Sequence, residues 1–274
     1  MIVRFWGVRG SVPVPGPTTV RYGGETSCIS IEAGGAMLVI DAGTGIRVLG
    51  PALLGTPVHI VLALTHAHTD HVLGFPFFKP LYEPGRPIDL IDCRTSGRDF
   101  SLLETLDSVR TPLVPARIDA DIRRRSPDDL AFLRDFGMDV HTIALNHPGG
   151  STGFRIRHGG SSLVYLTDNE LDAPNGGVTT FDTFVDFCRG ADVLIHDAQY
   201  LAGDMPSKWG WGHSAVERVC ELGSTAGVGN LVLFHHDPNR TDTDLDRIQA
   251  NADEHFGFSG TRCIVAHEGL ALEF

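Results

Sequence analysis

The chain passes from purely apolar to strongly chelating residues within one step. Ile60-Val61-Leu62-Ala63-Leu64 is an unbroken apolar run, which reads as a buried strand. It leads directly into Thr65-His66-Ala67-His68-Thr69-Asp70-His71, a His-x-His-x-Asp-His cluster. A strand that ends this way places several imidazoles and a carboxylate at one sheet edge. Neutral imidazole suits zinc and similar borderline metals, and a carboxylate adds charge and can bridge or hydrogen-bond. One histidine is ordinary in a core or on a surface. Three with an aspartate at this spacing point to a metal site.

The composition permits such a site inside an ordinary globular protein. Of 274 residues, 42% are hydrophobic and 20% charged, enough to bury a core. No apolar run reaches transmembrane length. Arg4 and Arg9 stand where a signal peptide needs a long apolar stretch, so the expected compartment is the cytoplasm and no membrane partner is expected. The five cysteines (Cys28, Cys93, Cys188, Cys220, Cys263) form no C-x-x-C pair, which argues against a disulfide framework or a separate structural zinc site. A net charge of −12 disfavours a large nucleic-acid footprint.

Strand-like segments at Ile2–Trp6, Cys28–Glu32, Met37–Ile40 and His59–Leu64 fill the first half. Phe154–Arg157, Leu163–Leu166, Val193–Ile195, Leu231–Phe234 and Cys263–Ala266 fill the second. Helical patterns intervene at Gly45–Leu54, Pro127–Phe136, Thr180–Cys188, Ser214–Ala226 and Thr241–Phe256. The stretch from Pro76 to Asp139 is the least regular, with Pro80, Pro84, Pro87, Pro112 and Pro115, and reads as crossover and lid-like structure. Its triplet Arg123-Arg124-Arg125 reads as a solvated face rather than a phosphate patch. With no linker in view, residues 1–274 are expected to form one domain. Strands and helices alternating in two similar halves fit a two-sheet α/β sandwich with helices outside.

Further candidate ligands stand at strand ends: His147 in Asn146-His147-Pro148-Gly149, Asp168 after Tyr165-Leu166-Thr167, and His235 or His236 after Leu231–Phe234. Together with the first cluster they resemble the signature of the metallo-β-lactamase superfamily. Asp41-Ala42-Gly43-Thr44-Gly45 resembles that family's Asp-x-Gly turn, with Asp41 a structural support for the metal loop. The resemblance implies an αββα sandwich of two mixed sheets flanked by helices, with the site at one edge between the sheets. It also implies two divalent metals, zinc first and manganese as alternative. His66, His68 and His147 would hold one, Asp70, His71 and His235 the other, and Asp168 would bridge.

Two further segments resemble the phosphodiesterase branch of the family, which includes ribonuclease Z and small cyclic-phosphate phosphodiesterases. His196-Asp197-Ala198 resembles its His-Glu-Ala segment, and Gly212-His213-Ser214 its catalytic His-Ser-Thr segment. Gly7-Val8-Arg9-Gly10-Ser11 and Arg21–Cys28 resemble its opening loops. The resemblance makes His213, oriented by Asp197, a catalytic group alongside the metal-borne Asp70, and makes the substrate a small, cyclic phosphodiester or nucleotide. Lactonase or thioesterase chemistry on the same site is one alternative. Transfer-RNA 3′ processing is another, disfavoured by the acidity and by the lack of a glycine-rich basic arm. Arg21 and Lys208 are candidate phosphate contacts. Trp209 and Trp211 are either a pocket wall or core. Related enzymes are often dimers, and Phe75-Pro76-Phe77-Phe78 is either an apolar interface or core.

Overall fold

The two halves of the chain build two mixed sheets on the same plan: antiparallel strands first, parallel strands after. The first contains β1 (Ile2–Gly7), β2 (Cys28–Ala33), β3 (Ala36–Ile40), β4 (His59–Ala63), β5 (Pro87–Ile91) and β8 (Asp121–Arg125), with a small hairpin of β6 (Cys93–Thr95) and β7 (Arg98–Phe100) between the last two. The second contains β9 (Asp139–Leu145), β10 (Ser151–His158), β11 (Ser161–Leu166), β12 (Val193–Asp197), β13 (Asn230–Phe234) and β14 (Arg262–Val265). The final strand, β15 (Ala271–Glu273), returns to pair with β1. This computed structural model describes residues 1–95, 97–107, 117–205, 207–256 and 260–274; Pro112 and Pro115 lie outside them.

Val3, Phe5, Ile31, Tyr165, Ile195 and Phe234 pack between the two sheets. On the outer face of the first sheet sits α1 (Ile46–Leu53), and on the outer face of the second sit α2 (Phe181–Cys188), α3 (Val216–Ala226) and α4 (Asp242–Phe256). The result is the expected αββα sandwich. Burial removes each of these large side chains from water, worth roughly 1.5–3 kcal/mol apiece. No described helix is long and apolar enough to cross a membrane.

Strand register fixes where the site forms. In the first sheet Ile40 pairs with Ala63 and Ala63 with Ile91. In the second Leu166 pairs with His196, and Asp197 with Phe234. Asp41, Leu64, Thr167 and His235 therefore leave their strands side by side, and the loops that follow meet at one edge of the sandwich. Open α/β sheets place their sites at such carboxyl ends.

The stretch read as irregular supplies two sheet strands, β5 and β8. Asp89 interrupts the apolar pattern of β5 and is buried because His59 Nε2 and Arg125 Nε approach its two oxygens, each at 2.7 Å. The arginine triplet is the edge strand β8, and its members pair with Asp121, Asp92 and Asp89. Charges on an exposed edge also discourage strand addition. The helix expected over Pro127–Phe136 is a 3₁₀ turn over Ala131–Phe136. Asp129 N–H bonds back to Ser126 O, so a local turn takes the place of the first helical turn. Phe75 and Phe78 are core, whereas Phe77 is exposed.

Candidate metal centre and its proton-carrying neighbour

Three of the residues that shape the site have a left-handed backbone: Asp41 (φ 65°), Asp168 (φ 57°) and His235 (φ 57°). Each follows a strand end, and each turn reverses the side chain toward the gap between the sheets. Such a conformation costs a non-glycine residue about 1–2 kcal/mol, and strain of this kind concentrates at functional sites.

Among the described residues three groups of potential ligand atoms converge there; Asp197, His213 and His235 make up one, and the other two share Asp168. Of those two, His66, His68, His147 and Asp168 form one and Asp70, His71, Asp168 and His235 the other, with the atoms of each group within 4.8 Å of one another. Asp168 belongs to both. Its Oδ2 lies 3.6 Å from His66 Nε2 and 3.7 Å from His147 Nε2. Its Oδ1 lies 3.2 Å from His71 Nε2 and 3.1 Å from His235 Nε2. One carboxylate thus turns one oxygen to each of these two groups. Asp70 Oδ2 is 3.3 Å from His71 Nε2 and 3.2 Å from His235 Nε2.

The tautomers follow from the partners. Nδ1–H of His71 donates to Asp41 Oδ2 at 2.9 Å, that of His147 to Gly212 O at 3.0 Å, and that of His235 to Gln199 Oε1 at 3.0 Å. Thr65 gives its hydroxyl proton to Asp41, so it accepts from His66 Nδ1 at 3.0 Å. Four Nε2 lone pairs are left aimed inward. Those of His66 and His71 are buried with no hydrogen-bond partner. Outer partners that hold Nδ1–H and free Nε2 are the arrangement that metal-binding histidines need. Exposed His68 sets its Nδ1 2.9 Å from His147 Nε2 and marks the open side. The residues present therefore fit two divalent cations.

In the metal-free cluster the charges are shared: burial opposes protonation of His71, but Asp168, Asp70 and Asp41 hold it well above its ordinary value. Burial alone would raise the Asp168 carboxyl, yet the imidazoles of His235, His71 and His66 hold it well below the usual range. Burial also opposes ionisation of Asp70, and His71 and His235 hold it low in the same way. Burial, together with neighbouring His71, pushes His66 well below its ordinary value and keeps it a neutral ligand.

Of the two adjacent histidines, only His235 faces the cluster. His236 is buried, donates Nε2–H to Ala266 O at 2.8 Å, and is pushed down to about 3 chiefly by burial. Gly10 leaves room for the His235 ring: a Cβ there would sit 2.5 Å from it.

His213 lies beside this cluster, its ring stacked on that of His235 at 5.1 Å and edge-on to that of His147 at 5.3 Å. Asp197 Oδ2 accepts from its Nδ1 at 2.5 Å. Burial works against protonation, but Asp197 overrides it and holds His213 up at about 9. The backbone N–H groups of Gln199 and Asn169 fix the carboxylate in turn.

Several supporting residues were not foreseen. Asp41 does more than hold its turn, because it also accepts from Thr65 N–H, Thr65 O–H and Tyr165 O–H. Glu170 takes the N–H groups of Gly210 and Gly212 at 2.9–3.0 Å and so secures the loop that carries His213. Ser11 N–H donates to Asp70 Oδ2 at 2.7 Å. Asn146 ties down the loop at Val178 and Thr179. A carboxylate directly after the Thr167-Asp168-Asn169 turn was the one visible hint of Glu170. Arg21 is forked onto Asp246, at 2.9 and 2.6 Å, which removes it as a phosphate contact. Trp209 and Trp211 are each 58% exposed and are not core.

Comparison with known proteins places these features in a family. Residues 37–236 match the family described as "Beta-lactamase superfamily domain", a span that contains every cluster residue from Asp41 to His235. The chain belongs to that family. Ribonuclease Z of Shouchella clausii is 23% identical over 254 residues, covering 75% of this chain and 78% of that one. The metallo-beta-lactamase fold protein YhfI of Bacillus subtilis superposes with a TM-score of 0.72 at 19% identity, over 100% of this chain and 98% of its own. A diphosphatase of the PhnP family superposes with a TM-score of 0.67 at 18% identity, over 100% of this chain and 97% of its own.

Proposed function

We propose that this member of the beta-lactamase superfamily is a phosphodiesterase with two divalent metals, folded as one domain over residues 1–274 and acting on a small, cyclic phosphodiester. The observation that carries the reading is the Asp197–His213 pair set against a two-part ligand cluster. A metal cluster alone serves many hydrolyses. A buried imidazole held protonated beside it supplies what a poor alkoxide leaving group needs.

In this reading His66, His68 and His147 hold one metal, Asp70, His71 and His235 the other, and Asp168 spans both. The imidazole-rich donor set favours zinc, with manganese as the alternative. Two such ions supply Lewis acidity, which acidifies water and offsets charge on phosphoryl oxygens. Hydrolysis forms one new P–O bond to water oxygen and breaks the bond to the leaving oxygen, which must gain a proton. His213 gives that proton from Nε2, since Nδ1–H is committed to Asp197. With its pKa held at about 9, the ring is charged at neutral pH and also attracts the anionic phosphoryl group. Asp197 is the positioning residue that fixes the ring and its tautomer.

The likeness to ribonuclease Z supports a second reading, processing of tRNA 3′ ends. The net charge of −12 weighs against it, and so does the span from His147 to Asp168, which is taken up by β10, a Gly159-Gly160 turn and β11. A cytoplasmic location goes with the proposal, supported by five free cysteines. The exposed Phe77 is the remaining candidate for contact in a homodimer. A substrate panel on protein of measured metal content tests the reading: bis(p-nitrophenyl) phosphate, a nucleoside cyclic phosphate, a lactone, a thioester and a pre-tRNA. Phosphodiester turnover well above the two acyl esters is expected. Faster lactone or thioester cleavage refutes it, and pre-tRNA as the best substrate favours the second reading.

A further inference from the structure

The loop that delivers His213 also carries two exposed indoles. Trp209 and Trp211 flank Gly210, and each leaves 58% of its surface in water. Exposed tryptophans on a loose loop would mean little, but this loop is anchored. Glu170 holds the N–H groups of Gly210 and Gly212, and Gly212 O accepts from His147 Nδ1. Gly210 and Gly212 have φ of 83° and 86°, a path that side-chain-bearing residues rarely follow.

Two clefts adjoin this loop. One of about 520 Å³ is lined by His147, Pro148, Pro174, Val178 and Gly210. The other, of about 380 Å³, is lined by Met205, Trp209 and His213. Both reach histidines of the reaction centre. Lys208 adds charge: its Nζ lies 4.2 Å from the centre of the Trp211 ring and 5.4 Å from that of Tyr200. No described carboxylate lies within ion-pair distance of it. The loop thus combines exposed indoles, a cation with no described carboxylate partner and the His213 imidazole at the edge of the cluster. A planar heteroaromatic ring carrying a phosphate matches all three.

We propose that Trp209 and Trp211 form a base-stacking subsite, so that the diester substrate is a nucleoside cyclic phosphate. This rests on the phosphodiesterase reading and narrows it. The base stacks on an indole, Lys208 faces the anionic part, and the ribose oxygen that leaves is presented to His213. Every base has a π face, so the subsite accepts purines and pyrimidines alike.

The test uses the full chain and the variants Trp209→Ala, Trp211→Ala and the double substitution. The first readout is the ratio of kcat/KM for a nucleoside cyclic phosphate to that for ethylene cyclic phosphate, which has no aromatic ring. Base stacking changes binding by a factor of about 5–150. The ratio is expected to fall by that factor in the double variant, through KM. An equal loss on both esters, or no loss on either, overturns the subsite. The second readout is quenching of intrinsic fluorescence by a nucleoside monophosphate in metal-free protein, with Trp6, the third tryptophan of the chain, as background. Saturable quenching in the parent chain that disappears in the double variant supports the subsite, and its absence in the parent overturns it. Cleavage of neither ester by the metal-loaded parent defeats the phosphodiesterase reading, and the fluorescence result then judges the subsite separately.

Discussion

Replacing Asp41 by asparagine isolates one proton at the metal centre. The side chains have the same shape, and asparagine tolerates the left-handed backbone that this position requires. Four donors converge on the carboxylate: Thr65 N–H, Thr65 O–H, His71 Nδ1–H and Tyr165 O–H. In Asp41→Asn the amide oxygen keeps the two bonds from Thr65, and the amide NH₂ faces the other two donors. Tyr165 can rotate its hydroxyl and accept. His71 can accept only by moving its proton from Nδ1 to Nε2, which aims an N–H at the second metal position. The lost charge-assisted bond costs the metal-free fold about 1.5–3 kcal/mol. Loss of such an outer partner typically weakens metal binding by about 10–100-fold. Titration of metal-free protein with zinc against a chromophoric chelator reads both sites. The expected result is one site unchanged and one weakened by that factor, with a lower urea midpoint for the metal-free variant. Two unchanged affinities would refute the tautomer argument, and equal weakening of both would show that Asp41 supports the whole loop rather than His71.

His213, the proposed proton donor, and the loop that carries it give the remaining predictions. His213→Ala keeps both metals and loses about 10²–10⁴-fold in rate on an unactivated diester, with a smaller loss on p-nitrophenyl esters, whose leaving group needs little protonation; equal losses on both would exclude proton donation. A general acid works below its pKa, so the rate of the parent chain falls as pH rises through about 9. In Asp197→Asn that fall moves to lower pH, toward the ordinary histidine range, and a pH–rate profile checks it. Gly212→Ala sets a Cβ on the His147 ring in a strained backbone, so elemental analysis should show weaker retention of one metal. Glu170→Gln retains both metals and lowers kcat by about tenfold, the order expected when a positioning contact loosens; an unchanged kcat would show that the loop holds without it.

The cluster was legible because a metal site needs several nitrogen and oxygen donors at strand ends, and this demand shows as clustered His and Asp after apolar runs. His235 and His236 could not be told apart, since both follow β13 and only the left-handed turn at His235 decides which ring faces inward. Asp41 was visible as a turn residue, but its four bonds come from positions up to 124 residues away. Glu170 and Asn146 were silent because their partners are backbone groups of other loops, and Gln199 because its partners, His235 and Ser11, come from distant loops. In the fold, strand β5 was hidden because burial of Asp89 depends on its ion pairs with His59 and Arg125, and β8 because an exposed arginine-rich edge strand carries no apolar alternation. Edge strand β9, in which the consecutive residues His141 and Thr142 are both exposed, shows only a weak alternation.

In the proposed function two metals held by His66, His68, Asp70, His71, His147, Asp168 and His235 drive phosphodiester hydrolysis. Its most direct test is the activity of metal-free protein on bis(p-nitrophenyl) phosphate as zinc, or separately manganese, is added in measured equivalents. The rate is expected to climb until two equivalents per chain are bound and then stay level, with Asp168→Ala unable to reach the plateau. Full activity with no added metal, or saturation at one equivalent, would contradict it.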